Sequence, residues 1–133
     1  MSSGLVQNNK VIAFDTGENR YRDLAPMIHR QRMVIEGYPQ KSISDDDIKA
    51  YLSELSNVLG MVKLCEPVTH QSPKYGWAGW IHWETSGAHF YAWDDPLLFF
   101  SVDIYTCKEF CFNKALDYTS TFFSATDTTY KAF

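Results

Sequence analysis

The residues with the clearest chemical potential are a serine and a thiol, Ser86 and Cys107. Ser86 lies in the segment ETSG at 84–87, between two strand-like stretches, and Cys107 ends the apolar run that follows. A serine hydroxyl can act as a nucleophile, and a thiol can donate a proton to carbon. A serine at a strand–turn junction and a thiol at a strand end can together form a self-processing site. Each can also be purely structural, as a turn residue and a buried small hydrophobe.

The remaining histidine and cysteine pattern does not predict a metal site. Cys107 and Cys111 are spaced C-x3-C, and His82 or His89 could be added to them. Structural zinc sites generally use four ligands in tighter, repeated spacing. We therefore predict no metal.

Aromatic and acidic residues near Ser86 could contact a substrate. The four tryptophans could stack on adenine, but strand alternation places them on both faces, which favours core and subunit-interface roles. Single carboxylates could contact a cationic substrate or could simply be solvated. The residues predicted to bind substrate are Glu36, Trp83, Glu84 and Tyr91.

The composition indicates one globular domain over residues 1–133. The chain is 45% apolar and 16% aromatic, which is enough to build a core. Its net charge of −4, without a long basic run, argues against nucleic acid as a partner. No apolar run is long enough to span a bilayer, and the N-terminus lacks the apolar core of a signal peptide. Three cysteines imply no disulfide framework, so we expect a cytoplasmic protein.

Local patterns predict two helices and a set of strands. Residues 45–59 carry apolar positions with a 3.6-residue period, after the N-cap residue Ser44 and before Gly60. A second helix is predicted at 109–123, and 68–76 is predicted to be a loop. The predicted strands are 31–37, 61–65, 77–83, 88–93, 97–106, an edge strand at 125–133, and a short one at 10–14.

This order predicts an α+β fold, a two-layer sandwich with two helices on one face of a mainly antiparallel sheet. The other face is rich in tryptophan and phenylalanine and needs a cover. A second copy of the chain is the simplest cover, so we expect a homo-oligomer, a dimer or larger.

Two motifs carry a resemblance to a known family. The segments VDIYTC at 102–107 and NKALDY at 113–118, with Trp93, resemble the prokaryotic type of S-adenosylmethionine decarboxylase, a pyruvoyl enzyme of polyamine (spermidine) synthesis. The resemblance covers roughly residues 31–118 and leaves 1–30 as an N-terminal extension outside it. It implies the S-adenosylmethionine decarboxylase-like version of the sandwich.

The resemblance also implies a mechanism. In the family, a serine attacks the preceding carbonyl, the peptide becomes an ester, and elimination cuts the chain and leaves an N-terminal pyruvoyl group. Its ketone binds the substrate amine and accepts electrons as CO2 leaves, and the substrate implied here is S-adenosylmethionine or a related basic amino acid. By this resemblance Ser86 is the pyruvoyl precursor, Thr85 its cleavage-site partner, and Cys107 the proton donor.

The chain departs from the family at four positions, the first being Thr85 where the family usually has a glutamate. Gly87 and Tyr91 stand where the family has histidines, and Ala78 where it has a serine that assists processing. His89 shares a strand face with Tyr91 and is the predicted replacement for the processing base. The alternative is an unprocessed, catalytically silent homologue that binds a protein partner or small metabolite, with residues 1–30 supplying contacts. A third hypothesis keeps the ligand pocket for a reaction without a pyruvoyl group.

Overall fold

The computed structural model describes residues 21–133, and the strand predicted at 10–14 lies outside them. It contains two helices and six strands. In chain order they are β1 (Gln31–Tyr38), α1 (Asp45–Val58), β2 (Val68–Ser72), β3 (Gly76–Trp83), β4 (Ser86–Trp93), β5 (Phe99–Thr106), α2 (Phe112–Phe122) and β6 (Asp127–Ala132).

The strands form one antiparallel sheet in the order β2-β3-β4-β5-β1-β6. The segments β2 to β5 are consecutive neighbours, whereas β1 lies between β5 and β6 and pairs antiparallel with both. The predicted α+β sandwich with a mainly antiparallel sheet is therefore confirmed, and the predicted C-terminal edge strand is β6.

Helix α1 begins and ends where its sequence specifies. The Ser44 hydroxyl accepts a hydrogen bond from the Asp47 N–H, and the Asp47 carboxylate accepts one from the Ser44 N–H, which is a capping box. Gly60 has φ of +70°, the left-handed conformation that terminates helices. On the sheet below, a Cβ on Gly79 would lie 2.6 Å from the Ile48 Cγ2, so the glycine permits close packing of α1.

The core lies between the helices and one face of the sheet, which we call the covered face. Tyr51 is fully buried at its centre and packs against rings of the sheet and of α2: Phe90, Tyr118, Phe122 and Phe123. The Tyr51 and Thr119 hydroxyls lie 2.7 Å apart, and Thr119 also donates to the Ala115 carbonyl. Burial raises the pKa of Tyr51 well above its usual value.

Three predicted boundaries were wrong. Residues 61–65 make only the isolated bridge Lys63↔Trp83, because the chain bends at positions 64 and 65 and cannot extend the ladder. The predicted loop at 68–76 contains β2, a short edge strand. Helix α2 begins at Phe112 rather than 109, because Phe110 hydrogen-bonds to the Gln31 side chain instead.

The opposite side of the sheet carries polar and aromatic side chains, and no described helix packs against it. We call it the open face. Its side chains include Arg32, Glu36, Trp80, His82, His89, Tyr91, Trp93, Phe99, Ser101, Asp103 and Tyr105. Neither α1 nor α2 is both long and apolar enough to cross a membrane.

Candidate active site

The turn between β3 and β4 places Ser86 at the start of a strand. The turn has two residues, Glu84 and Thr85, and Trp83 pairs with Ser86 across it. Thr85 has φ of +64°, a conformation that turns usually assign to glycine or asparagine. A β-branched residue held there stores about 1–3 kcal/mol of strain. Its hydroxyl donates to the Glu84 carbonyl at 2.5 Å.

The backbone N–H of Cys107 connects this turn to the end of β5. It donates to the Thr85 carbonyl oxygen at 3.2 Å and to the Ser86 Oγ at 3.2 Å. A single donor therefore contacts both the hydroxyl of Ser86 and the carbonyl that precedes it. Both Ser86 and Cys107 are half-buried.

The loop that carries Cys107 is held by side chains from neighbouring elements. The Thr106 hydroxyl donates to the Lys108 carbonyl at 2.7 Å. The Gln31 amide group donates to the Phe110 carbonyl at 2.8 Å and accepts from the Phe110 N–H at 3.2 Å. These bonds fix the loop on both sides of Cys107, so its N–H has a defined direction.

A cavity of about 230 Å³ opens next to this turn. Its lining residues come from β3, β4 and β5: His82, Ser86, Gly87, His89, Asp103 and Tyr105. In the sheet register His82 is opposite Gly87, and His89 is opposite Asp103. Ser86 therefore shares one cavity with two imidazoles, a carboxylate and a phenol.

The carboxylate in this cavity is already paired. Asp103 accepts two hydrogen bonds from Arg32, at 3.0 Å from Nε and 2.9 Å from Nη2. The same contact raises the pKa of Arg32. Because bidentate guanidinium contacts satisfy both carboxylate oxygens, Asp103 is a weak candidate for a free base.

The predicted substrate-binding residues do not gather around the cavity. Trp83 is 1% exposed on the covered face, where its indole N–H donates to the Ser56 hydroxyl at 2.7 Å, so it packs the core. Glu84 is exposed in the turn. Tyr91 and Glu36 lie on the open face but outside the cavity lining, and Glu36 accepts from the Ser101 hydroxyl at 3.3 Å.

One cavity residue was not singled out from the sequence as a base. His82 lies on the open face because β3 alternates, with Ile81 and Trp83 pointing into the core. The alternation of faces expected along a strand was the sequence signal that could have placed His82 on the open face. Within residues 21–133 there is no group of three or more histidine, cysteine or acidic side chains arranged to hold a metal ion.

Comparisons with known proteins agree with this architecture. The family model described as S-adenosylmethionine decarboxylase matches residues 33–133. A similar solved structure is the adenosylmethionine decarboxylase from Aquifex aeolicus, with TM-score 0.65 and 18% identity over 80% of this chain and 89% of that one. A search of curated proteins finds no match. The family match covers most of the sequence, and the structural likeness supports the same fold. The chain therefore belongs to the S-adenosylmethionine decarboxylase family.

Proposed function

We propose that this protein cuts its own chain between Thr85 and Ser86 and then acts as a pyruvoyl-dependent decarboxylase of S-adenosylmethionine, serving polyamine (spermidine) synthesis. The observation that supports it most is the Cys107 N–H, which donates to both the Thr85 carbonyl and the Ser86 hydroxyl. A cytoplasmic location belongs to this proposal and agrees with three cysteines free of disulfides.

The first step is an acyl shift. The Ser86 Oγ attacks the Thr85 carbonyl carbon, the C–N bond breaks, and the hydroxyl proton moves to the Ser86 nitrogen, which leaves an ester. Negative charge develops on the Thr85 oxygen during the attack, and the Cys107 N–H is already directed at that atom. The left-handed φ of Thr85 adds strain to the peptide that is consumed.

The second step is elimination from the ester, and it needs a base for the α-proton of Ser86. His82 and His89 both line the cavity, and His89 is the base predicted from the sequence. Cys107, whose backbone N–H contacts the Ser86 Oγ, is the proposed source of the thiol proton that would reach the product carbon. Once formed, the pyruvoyl group supplies a ketone that binds a substrate amine and accepts electrons as CO2 leaves.

Substrate contacts are proposed around the turn. The candidates to contact a cationic substrate are Glu84, which lies next to the cut, and Glu36 and Tyr91 on the open face. Trp83 supports the turn from the core side and is not proposed as a contact, because its ring is buried.

A second copy of the chain is proposed to cover the open face. Tyr91 is 43% exposed and Tyr105 48% exposed there, beside half-buried Trp80, Trp93 and Phe99. Exposed aromatic surface of this kind is typical of interfaces. Covering it would also close the cavity to bulk water. Sedimentation equilibrium measures this association.

The proposal is tested by intact-protein mass spectrometry of the purified full chain. We expect the 15.3 kDa species to convert into fragments 1–85 and 86–133. Ser86→Ala should abolish conversion, whereas Ser101→Ala, a serine elsewhere on the sheet, should cleave normally. Cys107→Ala keeps its backbone N–H and should still cleave, with decarboxylation lost. A single uncut species after long incubation contradicts the proposal.

One observation favours the alternative, an unprocessed homologue that binds a ligand or a protein partner. Ala78 and Tyr91 are direct partners in the β3–β4 register. They replace the serine and the histidine that assist processing in the family, so both differences lie side by side in the sheet. Neither side chain supplies an imidazole. If the chain stays uncut, thermal shift with S-adenosylmethionine separates the two partner classes. Ligand at 100 times its dissociation constant adds about 2.7 kcal/mol, and no shift favours a protein partner.

A further inference from the structure

We propose that His82 is the base that removes the α-proton of Ser86 during chain cleavage. The inference rests on the proposed function and assigns the elimination step to a residue of β3, rather than to His89 on β4. It follows from the register of the β3–β4 pair, the space above Gly87, and the contacts of the other groups in the cavity.

The register places His82 nearer to Ser86 than His89. His82 is the cross-strand partner of Gly87, the residue that directly follows Ser86. Partner positions in antiparallel strands lie roughly 4.5–5.5 Å apart. His89 is three positions further along β4, which at the rise of a strand is roughly 10 Å from Ser86. Both rings border the same cavity, but only His82 is next to the reacting residue.

Gly87 and Trp80 determine where the His82 ring can lie. A Cβ added at Gly87 would meet the His82 Cδ2 at 3.5 Å, so the edge of the ring reaches over the bare glycine. The indole ring of Trp80 packs against the imidazole on the other side, with centroids 4.5 Å apart. The ring is therefore supported near the Ser86–Gly87 backbone while remaining exposed to solvent, which can accept a transferred proton.

The other groups in the cavity are poorer bases for this atom. Asp103 is held by both guanidinium contacts of Arg32. His89 faces Asp103 across the β4–β5 pair. Tyr105 offers a phenol oxygen, which is a weaker proton acceptor than an imidazole nitrogen. His82 is thus the imidazole closest to Ser86 without a charged cross-strand partner.

The step balances as follows. A ring nitrogen of His82 takes the Cα proton of Ser86, the Cβ–O bond of the ester breaks, and Thr85 leaves as a carboxylate. The resulting 2-aminoacrylate tautomerises to an imine, which adds water and releases ammonia to give the pyruvoyl end. His82 returns its proton to solvent, and water is the only co-reactant.

The experiment follows cleavage of the full chain for wild type, His82→Ala, His89→Ala and His70→Ala, the last a histidine on β2 outside the cavity. Loss of a general base costs about 10²–10⁴-fold in rate, so His82→Ala should slow fragment release at least 100-fold. His70→Ala should cleave at the wild-type rate, and His89→Ala should be slowed less than His82→Ala. Added imidazole should restore cleavage to His82→Ala and not to Ser86→Ala.

A second readout identifies the blocked step. If elimination is blocked after the acyl shift, His82→Ala accumulates the ester, and hydroxylamine cuts it between residues 85 and 86. Slow cleavage without a hydroxylamine-sensitive bond would place the defect in the acyl shift and overturn the inference. His82→Gln, a polar replacement, must also accumulate the ester, which excludes a folding defect as the cause.

The failure of this inference is distinguishable from failure of the proposed function. Wild type that never cleaves overturns both. Wild type that cleaves while His82→Ala keeps its rate, or in which His89→Ala is the variant that accumulates ester, overturns only the role of His82.

Discussion

The two faces of the sheet differ in burial and in chemistry. On β4, Phe90 is fully buried on the covered face, and the next residue, Tyr91, is 43% exposed on the open face. The covered face is apolar and closed by two helices, whereas the open face carries histidines, an ion pair and exposed rings. One strand thus serves stability with alternate residues and leaves the others available for chemistry.

The candidate site lies where these two faces meet. Ser86 pairs with Trp83 and Thr106, both buried, and so belongs by alternation to the covered side. Gly87 follows on the open side, opposite His82. The proposed nucleophile is therefore paired with core residues, whereas its proposed base lies on the open face and packs against Trp80.

The largest expected effect on stability comes from replacing Phe90 rather than Tyr91, two residues that are adjacent in the chain but lie on opposite faces of the sheet. Phe90→Ala removes a ring that packs on Tyr51, Phe100 and Phe123, and should lower the free energy of unfolding by about 3–5 kcal/mol. Tyr91→Ala should change it by about 0.5 kcal/mol or less at concentrations where the chain is monomeric, and should weaken self-association. Urea denaturation and sedimentation equilibrium measure these quantities. Equal destabilisation by both variants would break the comparison.

Alkaline pH is expected to have an intermediate effect on the free energy of unfolding, through ionisation of the Tyr51 phenol. Its pKa is raised by burial, so the folded state keeps the phenol proton while the unfolded chain loses it above about pH 10. Stability linked to this group is complete below that pH and falls above it, by about 1.4 kcal/mol per pH unit.

Tyr51→Phe should therefore be less stable near neutral pH, by about 1 kcal/mol for the lost hydrogen bond to Thr119, and should decline less steeply above pH 10. Urea midpoints measured across this pH range test the slope. Parallel curves for wild type and variant would show that burial of Tyr51 does not hold its proton.

The smallest effect is expected from the ion pair on the open face. The Arg32 and Asp103 side chains are 43% and 35% exposed, so solvent screens their attraction. A double-mutant cycle with Arg32→Ala and Asp103→Ala should give a coupling of about 0.2–1 kcal/mol in unfolding free energy, lower in high salt. A coupling above this range would mean that the open face contributes to stability as the covered face does.

The elements with strong local signals were predictable from the sequence. Helix α1 has its capping box, its apolar period and its terminating Gly60 within one continuous segment of the chain. The predicted bounds of the apolar strands β1, β3, β4 and β5 lie within two residues of the observed ones. The resemblance to the family is what makes Ser86 and Cys107 candidate site residues.

Features that depend on long-range pairing were not predictable. β2 is a polar edge strand between two prolines, and only its pairing with β3 makes it a strand. The burial of Trp83 depends on the buried partner Ser56, 27 residues earlier in the chain. The position of His82 over Gly87 depends on strand register, which the β3–β4 turn length fixes.

The strand order has a mechanical consequence for a chain broken at this turn. Residues before the break supply β2, β3 and β1, and residues after it supply β4, β5 and β6. In the sheet, β3 borders β4, and β1 is wedged between β5 and β6, so the two pieces are interleaved along three seams of backbone hydrogen bonds. A nicked molecule would therefore behave as one body, separable only by dismantling the whole sheet.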